Sequence, residues 1–297
     1  MLVGAQGWRG GGCVLDALSC GLPPAAYSTR RLTASYRGKV LNVRRSSDNT
    51  ALDIGFVGNG LDAATLAVFV GSGSGYVTTW YNQGTGGAAY NVVQASAAYQ
   101  PVIVSSGANE TFGGVPAIYF SGATNIRLTT AAAVQVVSGS TGAFTANAVS
   151  KQTSNAVYGL VVGQYTSNSS DAGSIWGLSP NAYGYVNRYA AFCLTAAGTY
   201  VAVNSSVLSS DVDTEVFDGT TLAIYSNGAS GGTVTPGGSP KTGAGVLSVG
   251  CISVNSAASM EGYISEIVVL PSVLSAADRA TLEVNQGAYY GVSGVTQ

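Results

Sequence analysis

The stretch Phe217-Asp-Gly-Thr-Thr-Leu-Ala-Ile-Tyr-Ser-Asn-Gly228 carries the clearest signal of local structure in the chain. Asp218-Gly219 lies between two runs rich in apolar and β-branched residues, and this dipeptide is typical of a tight hairpin turn. Asn227-Gly228 ends the second run with the same turn chemistry. The segment therefore predicts two antiparallel strands, at residues 214–218 and 221–226.

Short runs of the same kind recur along the whole chain, between clusters of Gly, Ser and Asn. Their residues alternate with the period of two that is typical of strands. Further strands are predicted at residues 75–81, 116–120, 125–130, 142–151, 156–165, 173–178, 182–188, 200–203, 246–253 and 260–270. About a dozen short strands without an alternation of strands and helices favour an all-β fold, a β-sandwich or jelly roll.

Two segments carry helix signals instead. A short helix is predicted at residues 61–70, because Asp62 is placed as an N-cap. A second helix is predicted at residues 276–285, where the cap residue Ser275 opens the run and Gly287 closes it.

The composition indicates a folded chain with few charges. Charged residues make up 9% of the 297 residues and apolar residues 46%, whereas disorder needs low hydrophobicity and high net charge. No linker rich in Pro or Ser divides the sequence. We therefore predict a Gly-rich arm at residues 1–25 and a single domain at residues 26–297. Trp8 and Arg9 are the predicted docking residues of the arm.

Several classes of function are excluded by what the sequence lacks. There is no histidine, which removes catalytic pairs built on imidazole and the metal sites that use it. The net charge of −2 gives no attraction to a phosphate backbone, so we expect no nucleic acid partner. No unbroken run of about 18 apolar residues occurs, so we expect no membrane insertion.

Two further features concern the cell compartment. The N-terminus lacks the pattern of a secretory signal, and a protein released with a virus particle would need none. The four cysteines, Cys13, Cys20, Cys193 and Cys251, allow three pairings. A Cys13–Cys20 bridge and buried free thiols are equal alternatives. We predict no cofactor and no metal site.

Acidic residues alternate at Asp211, Asp213 and Glu215. In an extended strand these three side chains point the same way, with successive Cα atoms about 6.5–7 Å apart. The favoured interpretation is a solvated acidic turn before the hairpin. The alternatives are a calcium site made of carboxylates and carbonyls and a pair of catalytic carboxylates.

Aromatic and amide side chains are concentrated in one short segment, where they could stack on sugar faces and bind hydroxyl groups. A carbohydrate-binding face, a protein-contact face and ordinary core tyrosines are the alternatives. The candidate residues are Trp176, Asn181, Tyr183, Tyr185, Asn187, Arg188 and Tyr189.

Half of the twelve basic residues fall in one window near the start of the chain. This window could capture an anionic polysaccharide or a partner's acidic edge. The favoured interpretation is pairing of Arg44 or Arg45 with Asp48 or Asp53 inside the fold. The basic residues are Arg30, Arg31, Arg37, Lys39, Arg44 and Arg45.

Four segments resemble the catalytic domain of the arabinofuranosidase B family: Ala26-Tyr-Ser-Thr-Arg-Arg-Leu32, Val40-Leu-Asn-Val-Arg-Arg-Ser-Ser-Asp-Asn49, Asp53-Ile-Gly55 and Trp80-Tyr-Asn-Gln-Gly84. That family has a similar opening segment, an Arg-x-Ser-Asp run and a Tyr-Asp-Gln-Ser-Gly turn. The resemblance implies a jelly-roll fold and activity on arabinofuranosides.

The hairpin segment and Met260-Glu-Gly-Tyr-Ile-Ser-Glu-Ile267 are similar to the closing half of concanavalin A-like and laminin-G-like sandwiches. There, a Gly-x-Ile-x-Glu strand precedes a capped helix. Both resemblances imply the concanavalin A-like β-sandwich, with one or two short helices.

The arabinofuranosidase B family uses two carboxylates, and the resemblance implies that both positions are empty in this chain. The late stretch Val249–Asn255 has no acid, and residues 175–207 contain neither Asp nor Glu. Asn82 stands where the family usually carries Asp.

From these observations we expect a non-catalytic, lectin-like component of a phage-type virion: a tail, fibre or surface-decoration protein. Its expected partners are other virion subunits, further copies of itself and cell-surface glycans, and its expected location is the virion or the extracellular space. The first alternative is a secreted glycoside hydrolase of the arabinofuranosidase type, with Asp211, Asp213 and Glu215 as relocated acids. A further alternative is a bacterial surface adhesin.

Overall fold

Antiparallel strands make up most of the structure, a computed structural model. It describes residues 12–137, 142–154, 159–164, 175–180, 187–207, 211–238, 240–251 and 259–295. Within these ranges, nineteen strands belong to one continuous network of hydrogen-bonded neighbours, and two further pairs stand apart. The predicted all-β fold is confirmed.

The strands alternate with short loops over the whole described chain. Their bounds are β1 Ala25–Ser28, β2 Leu41–Arg45, β3 Ala51–Ile54, β4 Phe56–Val57, β5 Gly60–Leu61, β6 Gly75–Trp80, β7 Val92–Val93, β8 Val102–Ser105, β9 Ala108–Asn109, β10 Thr111–Phe112, β11 Val115–Pro116, β12 Ile118–Ser121, β13 Leu128–Thr130, β14 Phe144–Gln152, β15 Leu160–Gln164, β16 Trp176–Pro180, β17 Tyr189–Leu194, β18 Tyr200–Asn204, β19 Val212–Phe217, β20 Leu222–Ser226, β21 Ala229–Val234, β22 Leu247–Gly250 and β23 Glu261–Leu270. The α-helices are α1 Ala63–Val70 and α2 Ala276–Tyr290, and short 3-10 helices cover Val14–Ala17, Gly87–Tyr90 and Ala97–Tyr99.

The network folds back on itself into two facing layers. One layer runs in the order β21, β20, β19, β14, β23, and the other in the order β18, β17, β16, β15, β22. β17 faces β20 and β16 faces β19 across the interior. Each strand therefore has an inner face that looks into the sandwich and an outer face that looks away from it.

Aromatic rings fill the space between the layers. The ring of Phe144 lies 5.2 Å from that of Trp176 and 6.4 Å from that of Phe217, centroid to centroid. All three side chains are buried, and each contributes roughly 1.5–3 kcal/mol by leaving water. The apolar alternation that predicted the strands is thus the pattern that fills this core.

α2 covers the outer face of the first layer. Its N-cap is Ser275, whose side chain accepts a hydrogen bond from the backbone N–H of Asp278, as predicted. The helix does not end at Gly287. It continues to Tyr290, and Gly291 ends it with a φ of +69°.

Gly287 serves packing instead of termination. A Cβ atom at this position would lie 2.8 Å from Cγ2 of Val295, so a larger residue would push the following segment off the helix. The smaller helix α1 agrees with prediction, because the Asp62 side chain accepts from the backbone N–H of Thr65.

A buried ion pair joins β23 to the segment that follows β1. The guanidinium of Arg30 donates from Nε and Nη2 to the two carboxylate oxygens of Glu266, at 2.6 and 2.9 Å. Its third nitrogen, Nη1, donates to Oδ1 of Asn285 in α2 at 2.6 Å. Gln286 of α2 donates to the same carboxylate at 3.0 Å. Strand, loop and helix therefore meet at one carboxylate.

The turn after β6 fixes the same region from the other side. The side-chain amide of Gln83 accepts from the backbone N–H of Leu32 and donates to the carbonyls of Ser28 and Arg30. The side-chain oxygen of Asn82 accepts from the backbone N–H of Ala26 at 2.8 Å. Both amides are buried and replace backbone partners that β1 lacks on this edge.

Several sequence predictions concern the termini and the loops. Val14 and Leu15 are buried with Leu282 of α2, so the described end of the predicted arm, from residue 12, packs against this helix. Trp8 and Arg9 lie outside the described residues, as does most of the predicted strand 182–188. All four cysteines are free, so no Cys13–Cys20 bridge forms.

The buried pair predicts a large difference between two similar substitutions. Glu266→Gln leaves the Arg30 guanidinium buried without its counter-charge, which we expect to cost about 3–5 kcal/mol of unfolding free energy. Asp48→Asn removes the partner of Arg45 in an exposed pair and should change stability little. Urea unfolding of both variants measures the difference. Equal midpoints would mean that the buried pair does not hold this region together.

Candidate functional site

A row of three carboxylates runs along the inner face of β19 and the residue before it. Asp211 lies at the outer end, with its side chain 15% exposed, and forms an ion pair of 2.9 Å with Lys151. Asp213 and Glu215 lie further in and are completely buried. The row therefore runs from the surface into the sandwich, and it is not a solvated turn.

Glu215 occupies the deepest position of the row. Among the described residues, neither of its carboxyl oxygens has a side-chain hydrogen-bond partner. Burial raises the pKa of Glu215 well above its usual value, and the backbone N–H of Phe192 in β17 offsets only part of this rise. The surroundings therefore favour the protonated, neutral form of this carboxyl group, since the charged form is poorly solvated there.

Asp213 lies in a more polar part of the row. Its carboxylate accepts a hydrogen bond from the hydroxyl of Ser226, the residue directly opposite in β20. Tyr189 lies on the facing layer, and the charge of Asp213 adds to the burial that raises the pKa of this phenol. The Tyr189 hydroxyl in turn lies 2.9 Å from that of Ser150.

Cys193 of β17 faces the inner end of the row. Burial and the nearby Glu215 raise the pKa of its thiol to about 12, so it is not a thiolate nucleophile at neutral pH.

The arrangement offers an acid and a base on one strand. Asp213 and Glu215 are two residues apart, which places their Cα atoms about 6.5–7 Å apart on the same face. The apolar surroundings of Glu215 raise its pKa and favour the protonated form, while Asp213 accepts a hydrogen bond from Ser226. Pairs of carboxyl groups that differ in this way can divide the work of acid and base catalysis.

In the aromatic segment, the described rings lie in the core. Trp176 is buried against Phe144 and donates from its indole nitrogen to Gln164 at 3.0 Å. Tyr189 is also buried, so neither ring offers a face to a sugar in this structure. Asn187 has a φ of +58° and lies in a turn, which breaks the single strand face that parity predicts.

Of the remaining members, Arg188 donates to the carbonyl of Ser205 at 2.9 Å. Asn181, Tyr183 and Tyr185 lie outside the described residues, so their proposed contact with carbohydrate stays a prediction.

The basic window is used inside the fold. Arg45 pairs with Asp48 at 2.7 Å, as predicted. Arg44 donates to Gln100 and Asn49, and Arg31 lies over the ring of Phe56 at 4.9 Å. Most of this positive charge is therefore committed to partners within the chain.

The polar partners of Asp213 were not predicted from the sequence, although the hairpin register identifies one of them. Facing the predicted strand ends at residues 218 and 221 pairs Phe217 with Leu222 and therefore Asp213 with Ser226, as observed. The contact with Tyr189 crosses between layers, and no local pattern in the sequence predicts it.

Two general properties of the described chain concern metals and membranes. Within the described ranges, no three Cys, Asp or Glu side chains converge as a potential metal site. None of the helices there has the length and apolar character to cross a membrane.

Comparison with known proteins adds the family. The family model for the catalytic domain of alpha-L-arabinofuranosidase B matches residues 15–170. No curated protein matches the sequence.

Two solved structures share the fold. An arabinofuranosidase complexed with arabinofuranosyl-alpha-1,2-xylobiose is 16% identical, with a TM-score of 0.66, over 93% of this chain and 64% of that chain. A glutamine mutant of a glycoside hydrolase family 54 α-L-arabinofuranosidase, soaked with 4-nitrophenyl α-L-arabinofuranoside, is 17% identical, with a TM-score of 0.64 and the same coverages of 93% and 64%. This chain thus spans 64% of the length of each protein.

These comparisons correct the main functional expectation. A non-catalytic, lectin-like virion component was expected, but the family model that matches is the catalytic domain of alpha-L-arabinofuranosidase B, and the two solved structures share the fold. The resemblance noted in the sequence is confirmed, and it extends from the opening segment through the turn after β6. The chain belongs to the family of alpha-L-arabinofuranosidase B catalytic domains.

Proposed function

We propose that this chain is a glycoside hydrolase of the arabinofuranosidase type, which removes α-L-arabinofuranosyl groups from a polysaccharide. The observation that carries the proposal is the family match over residues 15–170. The shared fold over 93% of the chain supports it, because the strands that surround the inner face of β19 belong to that fold. An extracellular location and self-association remain predictions from the sequence.

The carboxylate row supplies the groups for the reaction. Hydrolysis of a glycoside needs one carboxylic acid to protonate the leaving oxygen and one carboxylate to act as nucleophile or to activate water. Glu215 suits the first role, because burial raises its pKa and favours the protonated form. Asp213 suits the second role, and Ser226 and the row's spacing hold it in place.

Access is a physical requirement of this proposal. Both carboxyl groups are completely buried, so the sugar reaches them only in a form where the inner face of β19 is open. If that face stays closed, the purified protein has no activity at this site. A simple activity assay therefore tests both the chemistry and the access.

We expect the purified chain to hydrolyse 4-nitrophenyl α-L-arabinofuranoside, and Glu215→Gln and Asp213→Asn each to lower kcat by about 10²–10⁴-fold. Both substitutions keep the shape of the side chain and remove its acid or base function. Release of nitrophenol measures the effect, and urea unfolding confirms that each variant is folded.

Asp48→Asn is the matched control, since Asp48 is an exposed carboxylate whose partner is Arg45. It should leave kcat unchanged. Absence of turnover by the unmodified protein would overturn the proposed function. Turnover that survives Glu215→Gln would show that Glu215 is not the catalytic acid.

The raised pKa of Glu215 also predicts a dependence of stability on pH. The folded pKa lies above the unfolded value of about 4.5, so the folded state binds more protons between the two values. Stability is therefore greatest below the unfolded pKa and falls as the pH rises towards the folded pKa. Glu215→Gln should abolish this fall, and unfolding free energies measured in urea at several pH values will show it.

In the activity assay, loss of the proton from Glu215 should set the basic limb of the pH profile of kcat/KM. A general acid with a raised pKa loses its proton, and the enzyme its activity, at a higher pH than an ordinary glutamate would. A basic limb near the ordinary glutamate value would assign the acid role to a different group.

A further inference from the structure

A groove lies on the outer face of the first layer, where α2 begins. It has a volume of about 390 Å³. Its walls come from β19, β20 and β21 on one side and from the start of α2 on the other. We call it the α2 groove, and its main lining residues are Val216, Asp218, Ala223, Thr233, Leu274 and Arg279.

The α2 groove is separate from the carboxylate row. Val216 lines the groove, while its neighbour Glu215 points to the opposite face of the same strand. Successive residues of a strand alternate between faces, so β19 stands between the two sites. The proposed reaction uses none of the groove's side chains.

A fixed cation forms one wall of the groove. The guanidinium of Arg279 lies 3.6 Å from the ring centroid of Tyr225 and donates from Nη1 to Glu283 at 2.8 Å. Nε and Nη2 of this group have no partner among the described residues. Arg279 is therefore held in place with two N–H-bearing nitrogens left to bind a ligand.

A fixed carboxylate forms the opposite wall. Oδ1 of Asp218 accepts from the backbone N–H groups of Thr220 and Thr221 and from the Thr220 hydroxyl. These backbone donors lower the pKa of Asp218, so it is ionised at neutral pH. Its second oxygen, Oδ2, has no partner among the described residues and can accept hydrogen bonds from a ligand.

The groove's chemistry matches a sugar. Sugar hydroxyls both donate and accept, so they suit Oδ2 of Asp218 as an acceptor and the N–H groups of Arg279 as donors, while the C–H faces of the ring contact apolar surface. Val216, Ala223 and Leu274 supply apolar surface to the lining. The opposite charges of the two walls balance, which favours a neutral ligand over an anion or a cation.

We propose that the α2 groove binds a neutral sugar unit of the polysaccharide chain, at a distance from the reaction centre. This proposal rests on the proposed function and extends it, since it gives the enzyme a second binding site for its polysaccharide substrate. An accessory site of this kind raises affinity for a long chain through effective concentration. It has no effect on a small substrate that occupies only the reaction centre.

The probe is arabinofuranosyl-α-1,2-xylobiose, added to the full chain carrying Glu215→Gln so that it is not turned over, and binding at the groove is followed by the NMR shifts of the groove residues. We expect Thr233→Trp, which fills the groove from an exposed strand position, to abolish these groove shifts and to leave binding at the reaction centre unchanged. Asp218→Ala should weaken binding at the groove by about tenfold or more, the loss expected from one hydrogen bond to a charged group. Thr111→Trp is the matched control, since Thr111 is also exposed on a strand and does not line the groove.

The readouts separate this proposal from the proposed function. Glu215→Gln should keep groove binding while it abolishes turnover, and Thr233→Trp should slow arabinose release from arabinoxylan but not nitrophenol release from the small substrate. If the unmodified protein binds the saccharide in the groove but shows no turnover, the groove proposal is supported and the proposed hydrolase function is overturned. Binding unchanged by Thr233→Trp, or groove shifts produced by a free amino acid and not by the saccharide, overturns the groove.

Discussion

The fold depends on one buried carboxylate, that of Glu266. Two strands pair with β23 at this residue, β1 through Ser28 and β14 through Val149, and the guanidinium of Arg30 neutralises its charge. Burial alone would lower the pKa of Arg30, but the adjacent carboxylate more than offsets this and raises it. The ion is therefore stable in the interior only because both partners and their hydrogen bonds are present together.

The helix α2 is positioned by the same group. Asn285 and Gln286 reach the ion pair from the helix, and the rings of Tyr289 and Tyr290 lie 4.4 and 5.5 Å from the guanidinium carbon. Once α2 is fixed in this way, its first turn forms one wall of the groove, and its inner side covers β19. The geometry of both candidate sites thus depends on a contact that belongs to neither of them.

The sequence predicted local structure well and contacts between layers poorly. The Asp218-Gly219 turn and the caps at Asp62 and Ser275 are short-range signals, since their partners lie within a few residues, and each is found as expected. Gly287 gave a wrong helix end, because a glycine can either end a helix or allow close packing. The residue that requires close packing here is Val295, which lies beyond the end of the helix in the sequence.

The alternatives for the aromatic segment stayed open in the sequence for a related reason. Sugar-binding and core aromatics share the same composition, and only the facing layer reveals that Trp176 and Tyr189 are covered. The parity of Asp211, Asp213 and Glu215 was a sound guide to their common face, but parity cannot tell the inner face from the outer one. Burial of that face depends on β16 and β17, whose position is set by long-range pairing.

The residues by which the family is recognised hold the scaffold together. Arg30 neutralises Glu266, while Asn82 and Gln83 complete the backbone hydrogen bonds of the opening segment. These residues serve packing and hydrogen bonding within the fold, so the family signature identifies the scaffold of this chain and not its reacting groups.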